Sequence, residues 1–193
     1  MHPPQSSPRT SEGDACREQP WRHFVLDNFL GTDEFERLAV AAANPSRVFQ
    51  VEPSDKHQVQ FSLLEDIGLA RNFISLDFVG LLHRLTGVWC HLSSDGYVQV
   101  RRATPQTPEF PIHVDSGGPR SFVALHYVTP DWSPADGGRL RLHYDKAGAV
   151  KSVIDPIPNR LVVFETAPDH WHSVERTLRG TRYSLLSEWM AVA

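Results

Sequence analysis

Two short segments hold the residue types that could do chemistry. His113-Val114-Asp115 places an imidazole and a carboxylate two positions apart, and His172-Ser173-Val174 supplies a second imidazole, followed ten residues after His172 by the arginine of Arg182-Tyr183-Ser184. Two imidazoles and one carboxylate are the donor set of a non-haem Fe(II) facial triad, in which three protein ligands take one octahedral face and leave the others open to a co-substrate and dioxygen. The downstream arginine could clamp a carboxylate, because its planar fork offers two parallel N–H donors. With 10 histidines in the chain, a lone His-x-Asp arises by accident about once. The ordered series of His-x-Asp, the Gly137-Gly138 turn, His-x-Val and Arg-x-Ser is far less accidental.

The elements that must position these residues can be read from hydrophobic periodicity. Met1 to Pro20 is rich in Pro, Ser, Glu and Gln and poor in apolar residues, which predicts a disordered tail, with one domain over 21–193. Trp21 to Leu26 reads as a strand, and Thr32 as the N-cap of a helix that Asn44-Pro45 ends. Leu69, Phe73, Leu76, Val79, Leu82 and Leu85 recur every three to four residues, predicting a second helix that closes at Gly87. Val48 to Leu63, between the helices, has room for one or two short strands. After Gly87 the text is β: Tyr97 to Val100, Ile112 to Val114, Ser121 to Val128, Arg139 to Tyr144, Val150 to Ile154, Leu161 to Phe164 and Tyr183 to Met190, separated by Pro, Gly, Asp and Asn turns. The expected fold is mainly β with flanking helices, a sandwich or barrel of jelly-roll type. On such a strand His113 and Asp115 leave the same face.

Composition narrows the function classes. The 193 residues suit one hydrophobic core. A net charge of −4 with scattered Lys and Arg gives no electrostatic case for nucleic acid. No apolar run reaches the length of a membrane span, no signal-peptide pattern opens the chain, and Cys16 and Cys90 show neither metal spacing nor a disulfide framework. A cytoplasmic location is the expectation, with no nucleic-acid or membrane partner.

From about Trp89 to Met190 the chain resembles the prolyl-hydroxylase-like branch of the Fe(II)/2-oxoglutarate oxygenases. The resemblance is carried by Pro111-Ile112-His113-Val114-Asp115, Leu125-His126-Tyr127-Val128, Asp136-Gly137-Gly138-Arg139-Leu140, Asn159-Arg160-Leu161-Val162-Val163-Phe164, His172-Ser173-Val174 and Arg182 to Trp189. It implies a double-stranded β-helix, a cupin-like core with N-terminal supporting helices. It further implies that His113, Asp115 and His172 hold Fe(II) and that Arg182 pairs with the distal carboxylate of 2-oxoglutarate. By the same resemblance Tyr127 donates to that carboxylate, Leu140 and Trp189 line the co-substrate pocket, O2 is the second co-substrate, and ascorbate is a supporting reductant. For Tyr127, Leu140 and Trp189, plain core packing is the competing reading. His170 could exchange roles with His172, but the interval to Arg182 and the valine at 174 favour His172.

Four features bear on the substrate. Halogenating relatives replace the triad carboxylate, whereas Asp115 is kept, so hydroxylation with release of succinate and CO2 is implied. Relatives that hydroxylate prolyl residues often carry a tyrosine ten residues before the first histidine, where this chain has Ala103. The proline-bearing loop Thr104 to Phe110 could shape a different pocket, and Arg120 could anchor an anionic substrate group. The first reading is therefore a small-molecule hydroxylase acting on an amino acid or natural-product intermediate. A protein prolyl hydroxylase, with Val48 to Leu63 closing over a peptide, is the second. A non-catalytic cupin-like sensor of a metal or small acid is the third, and it would predict a damaged ligand set.

Overall fold

A computed structural model describes residues 11–51, 58–93, 98–115 and 121–192. In chain order they form β1 (Cys16–Arg17), β2 (His23–Leu26), α1 (Thr32–Ala42), β3 (Gln50–Val51), β4 (Gln60–Leu63), α2 (Ile67–Ile74), α3 (Leu76–Thr86) and β5 (Cys90–Leu92). There follow β6 (Gln99–Ala103), β7 (Phe110–His113), β8 (Ser121–Tyr127), β9 (Leu140–His143), β10 (Val150–Ile154), β11 (Leu161–Thr166), β12 (His172–Val174) and β13 (Arg182–Ala191). Among the described residues the strands pair antiparallel in two sheets. The larger runs β1-β2-β11-β8-β13-β6-β4-β3, with β5 also on β13, and the smaller runs β10-β9-β12-β7. The two face each other as a jelly roll, the expected architecture.

The period of two along each strand divides the interior into two cores. Phe122 and Ala124 of β8, with Leu185 and Trp189 of β13, pack against Leu38 of α1, Phe73 of α2 and Phe78, Leu82 and Leu85 of α3. Val123, Leu125 and Tyr127 of β8 and Leu186 of β13 face Leu140, Leu142 and Ile154 of the smaller sheet. Because β8 is covered on both faces, its sequence is a continuous buried run rather than an alternating one.

Three local expectations are corrected. The single helix across 69–85 is two, because Ser75 takes extended geometry (ψ 162°) and its hydroxyl accepts from the Phe78 amide to cap α3. Gly87 then ends α3 in the left-handed conformation at φ 75°, as expected. The N-cap of α1 is Gly31 rather than Thr32, with no side-chain cap bond. The third correction concerns residues 11–20, which are packed rather than disordered. β1 pairs with β2, Ala15 is fully buried, and Arg84 holds Glu12 at 2.8 Å. Backbone pairing and one small buried side chain anchor a stretch whose composition alone looked too polar. Residues 1–10 and Arg120 lie outside the described residues. None of the described helices is long and apolar enough to cross a membrane.

His126 sits on the helix side of β8 among Phe29, Phe35 and Phe73, with Nε2 against Asn159 Oδ1 at 3.1 Å. Burial pushes its imidazole down to about 4, outweighing the opposing bond to Asn159. The folded ring is neutral, while an unfolded chain takes up a proton near 6.5. Between those values the unfolded state binds the extra proton, so stability falls as pH drops, by roughly 3 kcal/mol across the window. The expected outcome is that His126→Leu flattens the wild-type fall in melting temperature between about pH 6.5 and 4; an unchanged slope would refute the assignment.

Candidate metal and co-substrate site

The smaller sheet brings the two histidines together. β12 pairs with β7 so that His172 stands directly opposite His113, their ring centroids 4.2 Å apart. Asp115, just beyond the end of β7, reaches both: Oδ1 lies 3.5 Å from His113 Nε2 and Oδ2 lies 3.4 Å from His172 Nε2. One donor atom from each residue falls within 4.8 Å of the others.

The backbone fixes how these rings point. His113 Nδ1 donates to the carbonyl of Pro111 at 2.8 Å, and His172 Nδ1 to that of His170 at 3.0 Å. A carbonyl can only accept, so both rings carry an N–H on Nδ1 and turn Nε2 toward the carboxylate. Burial lowers the His172 pKa, with Asp115 pulling the other way. At Asp115 burial pushes the carboxyl up, but the bond to His113 and the charges of His172, His113 and Arg101 together hold it below its ordinary value. A divalent cation would bind the two Nε2 atoms as deprotonated donors beside an ionised carboxylate.

His170 does different work. Its ring stacks on Trp21 at 4.5 Å, and its Nδ1 donates to the Glu165 carbonyl at 2.7 Å. Trp21 in turn donates to the His143 carbonyl, and His143 Nε2 meets Ser173 Oγ at 3.0 Å. This brace holds the start of β12, and His170 contributes its backbone carbonyl to orienting His172.

A cavity of about 640 Å3 opens from the triad between the sheets. The inward residues of β13 and β8 line it, Arg182, Ser184 and Leu186 from one and Val123 and Leu125 from the other. Arg182 Nη1 donates to the Gly138 carbonyl at 3.0 Å, and its Cζ lies 5.9 Å from the centre of the Tyr127 ring. Among the described residues, Arg182 Nε, the Tyr127 hydroxyl and the Thr177 hydroxyl are buried without a hydrogen-bond partner. Burial lowers the Arg182 pKa, with Tyr127 opposing, and raises that of Tyr127 to about 12, with Arg182 opposing. Leaving buried donors unmade is costly, so a buried cation and two hydroxyls suit a carboxylate in their midst. Gly138, at φ +73°, leaves the room for this: a Cβ there would stand 3.0 Å from Arg182 Cδ and 3.2 Å from Thr177 Oγ1.

Leu140 lines the cavity. Trp189 does not. Seven positions from Arg182, it lies on the opposite face of β13, packed against Phe78 with its indole N–H on Ser187 Oγ. Thr177 is the group that sequence reasoning missed. It stands alone in a turn, bridged to Gly137, without periodicity or motif to mark it.

Residues 98–190 match the family model described as the 2OG-Fe(II) oxygenase superfamily. Over this stretch the chain is similar to the 2OG-Fe(II) oxygenases. That superfamily implies Fe(II), 2-oxoglutarate and O2, and the triad, Arg182, Tyr127 and Thr177 fit them chemically. Prolyl 3-hydroxylase OGFOD1 of Xenopus laevis is 29% identical over 191 residues, which cover 88% of this chain and 35% of that protein. The chain thus spans about a third of the curated relative's length. A prolyl hydroxylase from Trichoplax adhaerens, solved with a peptide fragment of the hypoxia inducible factor oxygen degradation domain, shares the fold at TM-score 0.70 and 22% identity, over 86% of this chain and 82% of that one. The α-ketoglutarate-dependent carbocyclase SnoK from nogalamycin biosynthesis does so at TM-score 0.62 and 14% identity, over 87% and 79%.

Proposed function

We propose that the protein is an oxygenase that hydroxylates an unactivated C–H bond of a small molecule, an amino acid or natural-product intermediate, with release of succinate and CO2. The supporting observation is one cavity that holds both the His113, Asp115 and His172 cluster and a buried, carboxylate-seeking Arg182. Fe(II) with 2-oxoglutarate and O2 supplies the oxidising power when bound. The chain's own residues do the rest. His113, Asp115 and His172 would hold the metal, and Arg182, Tyr127 and Thr177 the distal carboxylate. Val123, Leu125, Phe110 and Phe164 exclude water from the substrate side. An intact ligand set speaks against the sensor reading.

The small-molecule reading draws on the volume, within the range of small-ligand sites, and on Ala103, which lies opposite Arg182 and lines the cavity without the phenol of many prolyl hydroxylases. The peptide reading has its own support. The Xenopus relative is a prolyl 3-hydroxylase, and Val59 and Phe61 near and on β4, with Thr107 and Pro108, form two outer walls of the cavity. Anaerobic titration with Fe(II) and then 2-oxoglutarate tests the shared chemistry through the weak visible charge-transfer band of the chelate. Succinate release with free amino acids against Pro-containing peptides then separates the two classes. A well-folded, iron-loaded protein with no such band would overturn the enzyme reading.

A further inference from the structure

Thr177 is a buried hydroxyl carried between two exposed residues, Arg176 and Leu178. Backbone bonds secure one side of this turn: the Gly138 amide donates to the Arg176 carbonyl at 3.0 Å, and the Leu178 amide to that of Asp136 at 2.7 Å. Gly137 makes the approach possible, since a Cβ there would stand 2.6 Å from the Arg176 oxygen. The other side is held by a side chain. Arg176 Nε and Nη2 both donate to the Pro105 carbonyl, at 2.9 and 2.6 Å.

Pro105 belongs to a turn that is closed on itself. The Thr104 amide donates to Thr107 Oγ1 and the Thr107 amide to the Thr104 carbonyl, each at 2.9 Å, and the Gln106 amide donates to Thr104 Oγ1 at 3.3 Å. Residues 104–108 follow Ala103, which stands opposite Arg182, and Thr107 and Pro108 share the cavity wall with Thr177 and Arg182. A turn closed in this way is a fixed post, and a planar guanidinium placing two donors on one oxygen sets both distance and angle to it. Thr177, the next residue along the chain, inherits that placement.

We propose that Arg176 is a positioning residue for the co-substrate: by tying its own turn to the one at 104–108, it holds the Thr177 hydroxyl beside Arg182 to receive the distal carboxylate of 2-oxoglutarate. This rests on the reading above that Arg182, Tyr127 and Thr177 take that carboxylate. Arg176 itself is exposed and stands outside the cavity wall, so its effect on the co-substrate passes through Thr177.

The test is a double-mutant cycle on the anaerobic, Fe(II)-loaded protein, with 2-oxoglutarate affinity read from the charge-transfer band and from the rise in melting temperature. Arg176→Met should weaken 2-oxoglutarate binding by up to the same factor as Thr177→Val, roughly 3- to 10-fold, with partial recovery in Arg176→Lys. Added to Thr177→Val, Arg176→Met should change affinity by less than about twofold, because the group it positions is already gone. Without 2-oxoglutarate, Arg176→Met should melt within roughly 2 to 4 °C of wild type, the scale of one surface bond. Effects that multiply in the double variant, or unchanged affinity in Arg176→Met, overturn the proposal. Melting well below that range does so too, since the bond would then be a prop of the fold. The two claims fail separately. Absence of the band from wild type, or wild-type affinity in Thr177→Val, defeats the co-substrate site and the proposal with it, whereas multiplying effects with both intact defeat only the role of Arg176.

Discussion

His172→Ala should abolish 2-oxoglutarate turnover and metal retention, while His170→Ala should keep both in large part. The two imidazoles are two positions apart, and their surroundings give opposite expectations. His172 Nε2 meets the Asp115 carboxylate at 3.4 Å from a buried position, whereas the His170 ring is stacked on Trp21 and reaches the site only through its backbone carbonyl. Removing a donor from a set of three leaves a divalent cation two protein ligands. The loss should exceed the 10- to 100-fold typical of an outer-shell partner, and His170→Ala, which keeps the backbone carbonyl that orients His172, should stay below that range. Iron content after desalting, read beside circular dichroism to show that both variants fold, checks the expectation. Equal iron loss in the two variants would refute the assignment of the distal ligand.

Arg182→Met should weaken 2-oxoglutarate binding by roughly 2 to 5 kcal/mol, about 30- to several-thousandfold in half-saturating concentration. The same change should leave the apoprotein no less stable than wild type. The guanidinium is held where burial disfavours its charge and Nε has no partner, and exchange of such a group for an apolar one of similar size is often neutral or stabilising. The diagnostic readout is the melting temperature with and without 2-oxoglutarate. Wild type rises on addition, because the ligand binds the folded state, and the variant does not. Thr177→Val, nearly isosteric, should show a smaller version of the same effect, about 3- to 10-fold. A variant apoprotein that melts well below wild type would mean that Arg182 holds the fold rather than the co-substrate.

The candidate donor residues could be read from the sequence because metal and carboxylate chemistry restricts both residue type and chain spacing. His113 and Asp115 are neighbours in sequence and in space, and His172 and Arg182 follow at a fixed interval. Thr177 was not legible, since a hydroxyl's value here depends on being buried beside Arg182 and Gly138, which only the folded chain brings about. Trp189 could have been placed by parity: on an extended strand, residues seven apart face opposite ways. The break at Ser75 escaped notice because apolar spacing continues through it, the cap being a matter of one hydroxyl and one ψ angle. β1 and β5, of two and three residues, are too short to carry a periodic signal; they exist because a longer neighbour offers backbone partners.

Along β13 the residues that hold the helices in place alternate with those that face the chemistry. Substitutions can therefore damage one task and spare the other at adjacent positions, and repertoires of altered substrate preference are open to change at 184, 186 and 188 with the scaffold intact. Deletion or insertion has no such freedom. A slip of one residue would turn Arg182 toward the phenylalanines beneath the helices and Trp189 toward the metal. Length changes within this strand should thus be purged together with the fold, while point changes accumulate, so divergence among descendants of this chain is channelled through replacement at fixed length.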